Sequence, residues 1–131
     1  MLQEQEELAK NLTKRAAIPA AELKTILSCF ERLTIAKNDF LLNGDRTCKS
    51  IYYIKRGCCK SYVFDKAGKE KVIMFAFADW WITDIDSFTN GNRSDIRIQD
   101  TADSIVYKLT RDNFNLLFAK SPGFETAFRY M

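Results

Sequence analysis

The chain has 131 residues, 47% of them hydrophobic and 28% charged, which is material for one ordinary globular domain with a real core. Its net charge of +3 comes from lysines and arginines spread along the sequence, so charge alone does not point to nucleic acid. The absence of histidine removes Ser-His-Asp and Cys-His nucleophile schemes and most zinc and haem ligation.

Ten Phe, five Tyr and two Trp make the expected core rich in aromatic side chains. No apolar run approaches the roughly 20 residues needed to span a bilayer. The first residues, MLQEQEELAKNL, lack the basic-then-apolar pattern of a signal peptide, so the expected location is the cytoplasm. Cys29, Cys48, Cys58 and Cys59 form no C-x-x-C motif and are expected to be buried thiols.

Residues 3–14 are charged and helix-prone, with Leu8 and Leu12 one turn apart. Pro19 suits a first helical position, and Leu23, Ile26, Leu27 and Phe30 follow as an amphipathic stripe. From Leu33 the period changes. LTIAKNDFLL reads as two short strands broken at Asn38-Asp39, and Asn43-Gly44-Asp45 as a tight turn. SIYYIKRG is a strand ended by Gly57, and CCKSYVF resumes it. Asp65-Lys66-Ala67-Gly68 then reverses the chain into KEKVIMFAF. Ile73, Phe75 and Phe77 share one face of that strand, and Val72, Met74 and Ala76 share the other. Apolar residues on both faces predict a sheet covered on both sides.

Ala78–Asp95 breaks the alternation. Trp80 and Trp81 lead into a polar stretch, Thr89-Asn90-Gly91-Asn92, that reads as an irregular loop ending in Arg93-Ser94. An arginine beside a hydroxyl suits an anionic group such as a phosphate. Two more strands follow, IRIQ (96–99) and SIVYKL (104–109). Thr110 then reads as the N-cap of RDNFNLLFAK, whose buried stripe is Phe114, Leu117 and Phe118. Ser121-Pro122 opens a last helix with Phe124, Phe128 and Met131 on one face.

The run IYYIKRG…FDKAGKEKVIMFAFADWW resembles the cyclic-nucleotide-binding domain of the cAMP receptor protein / fumarate-nitrate regulator family of bacterial transcription factors. The family's strand-and-turn motif corresponds to Ile51, Tyr52, Ile54 and Gly57, its hairpin to Asp65, Gly68, Lys69 and Glu70, and its Gly-Asp loop to Ala78-Asp79. Asn43-Gly44-Asp45 matches the family's earlier glycine turn. The resemblance covers about residues 20 to 131. It implies a mainly β fold with flanking helices, a double-stranded β-helix or jelly-roll-like β-roll. Helices 3–30 would precede the roll at 33–109, and helices 111–131 would follow it, in a single domain of residues 1–131. It also implies that the last helix begins a dimerisation helix, so that the chain forms a homodimer. The winged helix-turn-helix that reads DNA is outside this chain, so contact with DNA would come only through such a downstream domain.

The resemblance further implies a phosphate-binding cassette after the Gly-Asp loop. Its Arg-Ser pair is Arg93-Ser94. Its earlier Gly-Glu pair is replaced, by Ile82-Thr83 without a gap or by Thr83-Asp84 with a shift of one. Thr83, Asp84, Arg93 and Ser94 are therefore the candidate ligand-binding residues. Asp95, beside Ser94, would repel a bound phosphate. Two readings stand. In one the pair binds an anion, such as a cyclic nucleotide. In the other Arg93 is a surface arginine paired with Asp95 or Asp86, and the roll is a ligand-free scaffold. No cysteine precedes Cys29, which argues against the family's iron–sulfur oxygen sensors, and the lack of histidine argues against its haem sensors. No metal and no certain cofactor is expected. The expected role is non-enzymatic ligand sensing and dimerisation in a transcription regulator. The alternatives are a stand-alone ligand-free dimerisation module and a cupin-like enzyme, the latter disfavoured because cupins usually hold a metal with histidines.

Overall fold

The computed structural model of the chain describes residues 4–44 and 46–129. Asp45 of the predicted glycine turn and Met131 of the last apolar stripe lie outside the described residues. The chain divides into two compact units, one running to Glu31 and resuming at Leu109, the other spanning Arg32–Lys108.

The first unit is helical. Helix α1 (Glu6–Thr13) buries Leu8 and Leu12 completely, as their one-turn spacing predicts. Helix α2 (Ala20–Ser28) buries Ile26 and Leu27. Pro19 is its N-cap, with ψ 148°, and so lies one position before the expected first helical residue. Proline fixes φ but leaves ψ extended, which suits the cap as well as the first turn. The Gln5 amide donates to the Leu27 carbonyl at 2.9 Å and ties the entry of α1 to the end of α2. Helix α4 (Arg111–Lys120) begins at Thr110, whose hydroxyl accepts from the Asn113 amide at 3.3 Å, as the sequence predicts. Helix α5 (Pro122–Arg129) has proline at its first position. Phe114 meets Phe124 and Phe128 edge-on, with centroids 5.7 and 4.7 Å apart. Phe118, expected in the buried stripe, is half-buried and stacks on Phe114.

The second unit is the β-roll. Its first sheet takes β1 (Glu31–Ile35), β10 (Ser104–Thr110), β4 (Ser50–Arg56) and β7 (Trp81–Ile82) in that order. The second takes β2 (Phe40–Asn43), β9 (Arg97–Asp100), β5 (Cys58–Phe64) and β6 (Glu70–Phe77). A two-stranded ribbon joins β3 (Arg46–Thr47) to β8 (Arg93–Ser94). Ile51, Tyr52, Tyr53 and Ile54 are all buried, so β4 is buried on both faces and reads as an unbroken apolar run. Tyr53 packs on Trp81 and Tyr107, with centroids 5.2 and 6.5 Å away. Each large side chain so buried contributes roughly 1.5–3 kcal/mol.

Strand β6 departs from expectation. It pairs with β5 as the Asp65–Gly68 turn predicts, but it is an edge strand, and only Ala76 is buried along it. Ile73, Phe75 and Phe77 are 53%, 46% and 49% exposed, and Val72 and Met74 are 39% exposed. The predicted cover on both faces is therefore not formed within the described residues. The register shifts by one at Ile73, because Ser61 faces Met74 and Tyr62 faces Val72. A bulge of this kind twists an edge and disfavours further strand pairing.

The Ala78–Asp95 stretch is more ordered than a loop. It holds β7, helix α3 (Ile85–Asn90) and β8. Asp84 caps α3, and Gly91, at φ 76°, closes it in the left-handed region.

Candidate functional site

The four candidate residues fall into two groups. Thr83, Asp84 and Ser94 form one hydrogen-bonded cluster around the start of α3. The Asp84 carboxylate accepts from the Ser87 amide at 3.4 Å through one oxygen and from the Ser94 hydroxyl through the other. Ser94 is buried, and its hydroxyl oxygen in turn accepts from the Ile96 amide at 3.0 Å. The Thr83 hydroxyl donates to the Ser50 carbonyl at 3.0 Å and lies 3.2 Å from the Cys48 sulfur.

Arg93 belongs to a different environment. Neighbouring residues on a strand point to opposite faces, and β8 buries Ser94 while leaving Arg93 exposed. Arg93 pairs across the ribbon with Thr47. It lines an open cavity of about 710 Å3 together with Arg46, Lys49 and Lys108. The sequence places Arg93 and Ser94 side by side, and the strand sets them apart.

Ser87 is a residue the sequence reading missed. Its hydroxyl donates to the Asn92 carbonyl and accepts from the Cys48 amide at 2.7 Å, which joins α3 to the connection between β3 and β4. Asp84 three positions ahead of it and Gly91 after the last turn were the signals for a short capped helix. The alternative partner for Arg93, Asp86, accepts from the Asn90 and Asn92 side chains at 2.8 and 3.3 Å. Those two bonds hold its pKa below the usual carboxylate value.

Asp79 holds the entry to this stretch. Its φ is 72°, its amide donates to the Ile54 carbonyl at 2.7 Å, and its carboxylate accepts from the Tyr53 hydroxyl at 2.5 Å. The turn at Ala78-Asp79 thus holds aspartate in the left-handed conformation, which aspartate tolerates better than most residues.

All four cysteines are thiols; Cys48 and Cys59 are buried and Cys29 and Cys58 half-buried, so the expected burial holds for two of them. Burial, the Asp100 carboxylate and then Cys58 push the Cys59 thiol up to about 12, which leaves it protonated and unreactive. Among the described residues, no helix is long and apolar enough to cross a membrane.

No family model matches the chain, and no curated protein matches it in sequence. Its structure is similar to that of the catabolite activator protein of Thermus thermophilus, with 13% identity and a TM-score of 0.76 over 87% of this chain and 53% of that one. It is similar to the sensor domain of the transcriptional regulator DNR from Pseudomonas aeruginosa, with 15% identity and a TM-score of 0.80 over 99% of this chain and 88% of that one. The regulatory domain of Toxoplasma gondii PKA, solved with cAMP, matches at 15% identity and 0.75 over 87% of this chain and 44% of that one. The chain thus spans about half the length of the catabolite activator protein. The fold is the mainly β, cyclic-nucleotide-binding type that the Ile51–Asp79 motifs predict, with antiparallel sheets and flanking helices.

Proposed function

We propose that the chain is a non-enzymatic sensory module of a bacterial transcription regulator of the cAMP receptor protein / fumarate-nitrate regulator type, and that its cassette is closed by its own carboxylate. The observation that carries this reading is the Asp84 bridge between the α3 cap and the Ser94 hydroxyl. A bound phosphate in such a cassette would need an amide at the helix start and the serine hydroxyl as donors. Asp84 already takes both. A second anion there would be repelled by the carboxylate and would find its donors occupied. Arg93, the cation of the predicted pair, stands on the opposite face of β8. Thr83, Asp84 and Ser94 therefore act as an internal lock, and cyclic nucleotide is not the effector of the resting chain.

Both compact units serve this one module in the cytoplasm, and the chain pairs with a second copy through α5. The exposed apolar surface of β6, Phe64 and Trp80 supports self-association. DNA is reached only through a separate domain. The Asp84 lock also favours a second reading, in which the module dimerises without any ligand.

Calorimetric titration with cAMP and cGMP tests the lock. The wild-type chain is expected to give no heat of binding at 1 mM nucleotide, on the scale of a Kd weaker than about 1 mM. Asp84→Ala is expected to remain folded but lose about 1–2 kcal/mol of stability with its cap. Sub-millimolar nucleotide binding by the wild-type chain would sink the closed cassette.

A further inference from the structure

The cavity that Arg93 lines carries more chemistry than the cassette. Its volume of about 710 Å3 is in the range of small-molecule sites. Its described lining includes the cations Arg46, Lys49, Arg93 and Lys108 and no carboxylate. The four come from separate places in the sequence: the two strands of the β3–β8 ribbon, the connection from β3 to β4, and β10. The side chains of Arg46, Lys49 and Lys108 have neither an ion pair nor a hydrogen bond among the described residues. Lys108 is half-buried on β10, where a lysine is ordinarily paired or fully solvated. The rest of the wall is mixed, with Phe40, Leu42 and Tyr52 beside the polar Asn43, Thr47 and Ser50.

Like charges gathered around one concave surface raise its potential and draw in anions. Lysine and arginine on several sides of a cavity suit a group that accepts hydrogen bonds in several directions, as a phosphate does. The side chains of Phe40, Leu42 and Tyr52 suit an organic body attached to it. We infer that this cavity is a binding site for a small phosphorylated compound with at least two negative charges, held by Arg46, Lys49, Arg93 and Lys108. The site is separate from the Thr83–Asp84–Ser94 lock. The inference deepens the sensory reading, on which it rests for the claim that the chain answers a ligand at all. It moves recognition from the cassette to the neighbouring basic cavity.

Pyrophosphate is the simplest probe of this chemistry. Titrated into the full chain at low salt, it is expected to bind with a Kd below about 1 mM and to weaken as salt rises. Lys108→Met and Arg46→Gln, each checked for folding by circular dichroism, should weaken binding by about tenfold or more. Lys24→Ala, an exposed lysine of α2, should leave it unchanged. No binding at 5 mM pyrophosphate, or equal loss in the Lys24 and Lys108 variants, would overturn the site. Such a failure leaves the closed cassette standing. Conversely, tight cAMP binding by the wild-type chain would overturn the lock and leave the cavity standing.

Discussion

The Asp84 carboxylate takes up two donors, the Ser87 amide and the Ser94 hydroxyl, and the proposed lock rests on that pair. The same economy of donors makes Asp100 its opposite. Asp100 is buried on β9 opposite Cys59, and no hydrogen bond of ordinary geometry reaches either carboxylate oxygen. The Ser104 hydroxyl donates instead to the Ala102 carbonyl at 2.9 Å. Burial raises the Asp100 pKa to about 6; nearby Ser104 lowers it, and the Asp39 and Asp103 carboxylates raise it further. A carboxyl with a raised pKa favours folding while it is protonated. That contribution is complete below about pH 4 and is lost as pH rises through about 6. Asp100→Asn is therefore expected to be the more stable chain at pH 7, by about 2–3 kcal/mol, and to match wild type near pH 4. Urea unfolding across that range measures it, and parallel profiles for the two chains would refute it.

At the scale of elements, the strands were legible because their residues alternate and their turns carry the right chemistry. Gly57 shows how firmly this is specified. It lies between β4 and β5 at φ 109°, and a Cβ there would collide with the Ser104 hydroxyl and backbone. Gly57→Ala should cost about 2 kcal/mol or more, read as a lower midpoint in urea, since both strain and clash oppose it. An unchanged midpoint would show that the corner can relax. Helix α3 was not legible as a helix, because Thr89-Asn90-Gly91-Asn92 has the composition of a loop. Only its caps gave it away. The exposure of β6 was hidden for another reason. Alternation reports which side chains share a face, not whether anything covers that face. Arg93 and Ser94 read as a unit in the sequence, and adjacency on a strand sets their side chains on opposite faces.

At the scale of the whole molecule, sequence and structure meet on the fold and part on the site. The motifs from Ile51 to Asp79 predicted the β-roll, and structures at 13–15% identity share it. The basic cavity left no local signature. Arg46, Lys49 and Lys108 are scattered along the chain, and only strand pairing assembles them. Whether the cassette is closed can be read directly by 1H–15N NMR of the chain titrated with cAMP. The amides of Ser87 and Ile96 report the two ends of the Asp84–Ser94 bridge. The account predicts that neither resonance moves up to about 1 mM nucleotide, the affinity expected of an occupied site. Saturable shifts of both amides below that concentration would contradict it.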